Sequence, residues 1–524
     1  MPLSYYQPEK NIRDGEHREA DLCIYGATSA GVMAAVEGAR QNLRVVLLAN
    51  TRHIGGLASG GLGYTDFGDF EIIGGLAAEF YRRAGAHYGT EREWKIEPHV
   101  AEKLFGDFLK EAGVEPVPFQ YLDCVEVVEG NIRSVRMESG LVVTASFFID
   151  ATYEGDLLAK AGVPYTVGRE ANAQYGELLN GVQMHHQHQF EIPVSPYVRE
   201  GDPSSGLLPG IDPEPLAPQG SGDKRVQAYN FRLCLSQSRN RIPFPKPAHY
   251  DPQDYELLAR YLRAGWRETF RKFDLIRGNK TDTNNHGAVS SDFIGGSHRY
   301  PDASYDEREH IFQAHVNYIQ GLLWFYCHDP RVPADVQKIM NGWGLAADEF
   351  TDSAHWPPQL YVREARRMVS DHVVTELDCR GYRRADDVAG YGAYGMDSHN
   401  CRRVVVDDRV FNEGDVQYWG FPPYPISYRS ITPPRGSVGN LFVPVCVSAS
   451  HIAFGSLRME PVFMILAQTC AIAAALCKKR ACVVQDLPYA VLRPALERAD
   501  QIVTLECMPR LYPENQEHEL QPVS

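Results

Sequence analysis

The chain has 524 residues, of which 44% are hydrophobic and 23% charged. That is long enough for a large core and more than one domain. Its net charge of −15 argues against a nucleic-acid partner, because polyphosphate would be repelled. The 11 cysteines are scattered without a C-x-x-C pair and read as reduced thiols, with no structural zinc. Charged residues fill the first twenty positions, so no apolar export signal is visible there, and a cytoplasmic location is expected.

In chain order, DLCIY at residues 21–25 reads as a short apolar strand and GATSAG at 26–31 as a turn. The small residues that follow read as a helix packed closely on a sheet. RVVLL at 44–48 is a strand buried on both faces, as in a parallel sheet. This is a dinucleotide-binding βαβ pattern with two unusual positions. Gly26 makes the tight turn and Gly31 permits helix–strand packing, but the middle glycine of G-x-G-x-x-G is Thr28. Thr28 is expected to offer its hydroxyl and N–H to a phosphate oxygen, beside the opening amides at Ser29 and Ala30. At the end of the second strand, where a ribose-binding acid is usual, stand Ala49 and Asn50, leaving Asn50 to make that contact.

TRHIGGLASGGLGYTDFG at 51–68 holds six glycines. Backbone so permissive directly after the unit fits a loop wrapping a large flat ligand such as a flavin. It places Arg52, His53, Gly55, Gly56, Leu57, Ser59 and Gly60 at the cofactor, and His53 is expected not to be a covalent attachment point. Residues 98–113 form an amphipathic helix ended by glycine. Residues 120–145 alternate through two turn signals, as a small antiparallel meander. FFIDAT at 147–152 returns to a buried strand. Residues 187–247, rich in Pro, Gly and Ser, read as long surface connections, and 251–348 as mostly helical. His185, His186 and His188 in MHHQHQ have no acid or cysteine at ligand spacing and read as a loop, not a metal site. The uncharged PVFMILAQTCAIAAALC at 461–477 is shorter than the roughly 20 residues a span needs and reads as a buried core helix.

Four segments carry a family resemblance: YGATSAGVMAA with TRHIGGLASGGLG, FFIDATYEGDLLAKAG, KTDTNNHG with LYVREARRMV, and NLFVPVCVSASHIAFGSLRMEPVFMILAQ. Together they make the chain similar to an FAD-dependent oxidoreductase family whose members often carry a xanthan lyase label. That family is related to the fumarate reductase and glutathione reductase-like flavoproteins, and its members usually have Glu where this chain has Ala49. The resemblance implies an α/β protein: a Rossmann-like FAD-binding domain of glutathione reductase type with a β-meander insertion, plus an α+β substrate domain. Residues 1–166 and 430–524 would build the FAD domain and 167–429 the substrate or cap domain. Non-covalent FAD would lie with its pyrophosphate beside Ala151 and Thr152 and its adenine near Val125. A helix beginning at GSLRMEP would direct backbone amides around Gly455, Arg458 and Met459 at the flavin.

The same resemblance gives the middle of the chain the substrate site. KTDTNNHG would bind a polyhydroxylated small molecule through Asn285 and His286. YVREARRM is expected as a helix carrying Arg363, Arg366 and Arg367, with Arg363 as carboxylate clamp or flavin-orienting group. His451 is the histidine placed nearest the flavin as the base. The reaction implied is hydride removal from a hydroxyl-bearing carbon of a sugar or related polyol. A C=C reductase of fumarate reductase type and a non-redox FAD-binding lyase or scaffold are the alternatives. An external electron acceptor is expected, and neither a membrane nor a nucleic-acid partner.

Overall fold

The computed structural model describes residues 3–505. Strand β1 (His17–Tyr25) is buried from Ala20 onward and pairs in parallel with β2 (Val45–Leu48). Between them runs helix α1 (Ser29–Arg40), rich in Ala, Gly and Val. Small residues let it lie close to the sheet: a Cβ at Gly38 would stand 3.0 Å from Leu22 Cδ2 and 3.1 Å from Val45 Cγ2. Helices α2 (Gly75–Tyr88) and α3 (Pro98–Ala112) follow, and α3 ends on Gly113 in the left-handed region, as the sequence predicts. Strand β3 (Pro116–Val117) extends the sheet beyond β2.

The meander is present as β4 (Leu122–Val128), β5 (Asn131–Met137) and β6 (Val142–Asp150). Strand β6 runs parallel to β1 along its whole length. Its other edge is shared: β5 pairs with its first residues, and the short strand Leu441–Phe442 pairs with Phe148 and Ile149. The sheet order is β3-β2-β1-β6-β5-β4, a mixed sheet consistent with a Rossmann-like domain. Segments far apart in sequence thus complete one sheet.

Further helices are α4 (Asp156–Lys160), α5 (Asn172–Tyr175), α6 (Glu256–Arg263), α7 (Tyr305–His328), α8 (Ala334–Met340), α9 (Glu376–Cys379), α10 (His451–Leu457), α11 (Glu460–Arg480) and α12 (Tyr489–Arg498). Helix α11 is apolar around its circumference because it is enclosed. It packs against α1, α2 and α12, and 89% of its most apolar window is buried.

Three expectations are corrected. Residues 226–236 are interior, not a surface connection: Tyr229, Phe231 and Leu233 are fully buried, and Leu235–Ser236 joins a four-stranded sheet. Their apolar run is short and is masked by the surrounding Pro, Gly and Ser. The region 251–348 is helical only in α6, α7 and α8; Phe273–Ile276 and Lys280–Thr283 are strands of that same sheet. YVREARRM is extended, with Arg367–Met368 paired to Tyr165–Thr166. Extended backbone sends successive side chains to opposite sides, so each charged group reaches its own buried partner, which one helical face would not allow.

The tight contact between α1 and the turn after β1 yields a prediction. A Cβ at Gly31 would stand 1.8 Å from Gly26 O. Gly31→Ala is expected to lower stability by about 3 kcal/mol or more, because backbone would have to move. Denaturant unfolding of the two proteins checks it; a loss under about 1 kcal/mol would mean the turn yields freely.

Candidate functional site

The site begins where β1 ends. Gly26 has φ +103°, and a Cβ there would lie 2.8 Å from the Ala151 carbonyl carbon. Thr28 is the N-cap of α1: its Oγ1 accepts from Gly31 N–H at 3.3 Å and donates to Ala151 O at 2.7 Å. The hydroxyl is thus engaged within the protein, while the backbone N–H groups of the opening turn, at Ser29 and Ala30, have no intrahelical partner, as at any helix start suited to an anion. Asp150, beneath them, accepts from Thr152 N and Oγ1 and from Leu158 N, and burial pushes its carboxyl up to about 6.

Two residues not singled out from the sequence tie this turn to the glycine loop. Ser29 Oγ donates to Glu460 Oε2 at 2.5 Å and Tyr153 OH to Glu460 Oε1 at 2.8 Å. Tyr153 OH in turn accepts from Leu57 N at 2.9 Å, and a Cβ at Gly56 would meet that oxygen at 2.3 Å. Burial pushes the Glu460 carboxyl up to about 7. The available signal was adjacency: Tyr153 follows the quoted DAT, and Glu460 follows Met459 at the start of α11.

A narrow cleft lined by Ala27, Thr28, Asn50, His53, Gly56 and Ser59 leads away from the turn. Through Asn50, Thr51 and His53 it continues into a cavity of about 210 Å³. Ala49 is buried, its N–H on Val117 O and its carbonyl on Gln120 N–H, so Asn50 is the residue of this pair that reaches the cavity. Arg52 is ion-paired with Asp352; His53 Nδ1 lies 3.0 Å from Glu102 and Nε2 3.5 Å from Asp352. Gly55 is left-handed at φ +94°, and a Cβ at Gly60 would press on Gln359 at 2.5 Å. Val125 packs on the apolar cluster beneath the meander, whereas Phe119, entering it, lines the cavity. Glycines that admit no side chain, a helix opening and a cleft ending in polar groups fit an extended dinucleotide.

A second, polar region lies at the break between α10 and α11. The expected single helix is two: α10 ends before Arg458, and Pro461 opens the next helix at Glu460. At the break Arg458 Nη1 donates to Tyr361 OH at 2.8 Å and Nη2 to Asp397 O at 2.9 Å. A Cβ at Gly455 would lie 2.6 Å from the same carbonyl oxygen. Around the Tyr361 ring stand the guanidinium groups of Arg363 at 4.6 Å and of Arg232 and Arg458 at 5.7 Å each. Arg363 pairs with Asp292 at 2.8 Å, and Asp292 also holds His399 Nδ1 at 2.7 Å. His399 stacks 6.4 Å from His188, which is fixed by Asp415 at 2.7 Å; His188 stands 5.9 Å from His286, which meets Glu268 at 3.0 Å.

His286, Arg363 and Arg458, singled out in three separate motifs, therefore join in one chain of contacts, together with His188 from the segment read as a loop. Burial disfavours the Asp292 charge, but Arg363 and His399 outweigh it and hold the carboxyl at about 2. Burial, aided by Arg363, pushes His399 down and so toward its neutral form. Burial likewise lowers His286. At His188 burial opposes the charge, but Asp415 outweighs it and raises the pKa.

His451 is the first residue of α10. Its N–H donates to Glu170 at 2.9 Å and its Nδ1 meets Glu364 at 2.7 Å. Gln227 links this pair to the first chain, donating to Glu364 at 2.8 Å and accepting from His399 N–H at 3.1 Å. Arg366 serves elsewhere: with Arg308 it clamps Asp156. Asn285 is buried, its N–H on the side-chain Oδ1 of the preceding Asn284 at 2.9 Å. Among the described residues the one group with metal-ligand spacing, Glu97, His99 and Glu349, already holds the Lys280 ammonium, 2.6 Å from Glu349 and 2.7 Å from Glu97.

The mixed sheet with its parallel β2-β1-β6 core, the glycine turn and the helix opening are consistent with a Rossmann-like nucleotide-binding α/β protein. The chain belongs to the FAD dependent oxidoreductase family, whose model matches residues 21–496. Among curated proteins no match is found. Among solved structures it is similar to an L-proline dehydrogenase from P. horikoshii, with TM-score 0.25 and 15% identity over 29% of this chain and 59% of that one. A geranylgeranyl bacteriochlorophyll reductase-like protein from Thermoplasma acidophilum gives 0.21 and 16% over 28% and 43%. A 3-ketosteroid dehydrogenase from Rhodococcus jostii gives 0.20 and 15% over 30% and 53%. The chain spans less than two thirds of each of these proteins.

The raised Glu460 carboxyl predicts a pH signature. From its ordinary 4.5 up to about 7, the unfolded chain loses this proton while the native state keeps it. Native stability therefore falls with rising pH across that window. Glu460→Gln removes the dependence, so the variant should gain on the parent by up to about 3 kcal/mol between pH 4.5 and 7. Denaturant unfolding at pH 5 and pH 8 measures it; a difference that does not change with pH contradicts the assignment.

Proposed function

We propose that this FAD-dependent oxidoreductase oxidises a hydroxyl-bearing carbon of a polyol or carbohydrate. In this reading residues 1–166 and 430–524 form a glutathione reductase-type FAD domain, and residues 167–429 supply the substrate side. FAD, bound without a covalent link, supplies the hydride-accepting ring. The backbone at Ser29 and Ala30 holds its pyrophosphate, and the glycine loop from Gly55 to Gly61 packs against its flavin half.

The observation that carries the reading is the convergence at the α10–α11 break. Arg458 donates to Tyr361 OH, the Arg363 guanidinium lies 4.6 Å from the centre of the Tyr361 ring, and Arg363 shares Asp292 with the His399 imidazole. Buried hydrogen-bonding capacity is left open at Asn230 Oδ1, Arg363 Nε and Arg458 Nε. Such groups suit a ligand rich in donors and acceptors. Asn285 and His286 border the substrate side in this reading.

Two buried imidazoles have Nδ1 on a carboxylate, leaving Nε2 to take a proton: His451 on Glu364 and His399 on Asp292. The sequence placed the base at His451. The contacts favour His399, whose lowered pKa keeps it neutral and whose partner Asp292 also binds Arg363. His451 then positions it through Glu364 and Gln227.

The second reading is reduction of a C=C bond in an unsaturated acid. The three guanidinium groups around Tyr361 favour it, since they match a carboxylate.

Anaerobic mixing of the holoprotein with panels of polyols and dicarboxylates tests both. Bleaching by a polyol, slowed about 10²–10⁴-fold in His399→Ala and less in His451→Ala with FAD still bound, is the expected result. The reverse order returns the base to His451. Reoxidation of the reduced protein by an unsaturated dicarboxylate, with no polyol active, selects the second reading.

A further inference from the structure

The family match starts at residue 21, yet residues 3–12 are firmly placed against the cofactor groove. Tyr6 N–H and Ser4 Oγ donate to Glu309 Oε2 at 2.7 and 3.0 Å. Gln7 N–H donates to Tyr121 OH at 2.9 Å, and that hydroxyl donates to Tyr5 O at 3.0 Å. Tyr6 stacks on Tyr305 at 5.6 Å, and the Tyr5 ring is buried against Tyr300 and Phe312. So anchored, Tyr5, Gln7 and Lys10 form one wall of the 210 Å³ cavity; Asn50, Arg52 and Phe119 face them from the β2 and β3 ends.

The end of β2 is where a dinucleotide fold meets the adenosine ribose, ordinarily with a carboxylate. Here that position is Ala49. The one carboxylate on the cavity lining, Asp352, is already taken by Arg52 and His53. A ribose diol in this cavity therefore needs other acceptors. The side-chain amides of Asn50 and Gln7 are present, and Gln7 Nε2 is committed to Ser4 O at 3.0 Å, which leaves its amide oxygen as the acceptor. Phe119 provides aromatic surface for a base, and Lys10 adds positive charge to the cavity lining.

We propose that residues 3–12 are a cofactor-retaining wall that closes the adenosine pocket of FAD, with Gln7 and Asn50 replacing the missing ribose-binding carboxylate. The inference rests on the FAD reading above. Its test compares FAD with FMN, which lacks the adenosine half, by fluorescence titration of apoprotein. Truncation of residues 1–10 should weaken FAD at least about tenfold while FMN affinity stays within about twofold. Gln7→Ala combined with Asn50→Ala, which leaves the anchoring contacts of Tyr5 and Tyr6 in place, should weaken FAD by about three- to tenfold, again sparing FMN. Unchanged FAD affinity in the double variant, or equal losses of FAD and FMN, overturns the proposal. If the full-length chain binds FMN and FAD equally tightly, the adenosine pocket is refuted while the flavin reading stands. If it binds neither, the FAD reading itself falls, and this one with it.

Discussion

Everything in this molecule is positioned by a backbone-to-backbone contact. At Gly26 and Gly31 the turn leaving β1 touches the end of β6 at Ala151 and closes on itself, with no room for a side chain at either glycine. That contact sets the opening of α1, and α1 in turn lies against α11. Glu460, the first residue of α11, returns to Ser29, and Tyr153 carries the same carboxyl to the glycine loop. The turn after β1, the glycine loop and the broken helix α10–α11 are therefore one mechanical unit.

The polar region beside the break is costly to bury. Arg363, Arg367, Asp292 and Glu364 are nearly inaccessible to solvent, and isolated charges in such a place would be expelled or neutralised. They persist because each is paired: Arg363 with Asp292, Arg367 with Glu170 and Glu364, and the two histidines with the remaining carboxylate oxygens. Such a network fixes imidazole orientation and tautomer, as a site handling protons requires. It also makes the region sensitive to loss of any member, since the partner left behind would be an uncompensated buried charge.

The βαβ unit, the meander and the helices α3 and α11 were legible in the sequence because each has local periodicity and a local stop signal; Gly113 ending α3 is one. The interior path of 226–236 and the extended form of 361–368 were not, because tertiary pairing decides both. YVREARRM has good helical composition, yet its arginines are drawn to partners over a hundred residues away in Ala228, Asp156 and Glu170. The cofactor side was visible as glycines at fixed spacing. His399 and Asp292 were invisible singly, as ordinary residues in unremarkable segments, and acquire meaning only when the fold assembles them. His286 and Arg363 were visible from motifs, but their connection through Asp292, His399 and His188 was not.

The central claim is that this chain holds FAD non-covalently in the groove that starts at Gly26 and ends against residues 3–12. Denaturing the purified holoprotein, separating polypeptide from supernatant and weighing the released flavin tests it most directly. The account predicts FAD in the supernatant, near one per chain, and an unmodified polypeptide mass. FMN alone, flavin remaining on the polypeptide, or no flavin after reconstitution with FAD would contradict it.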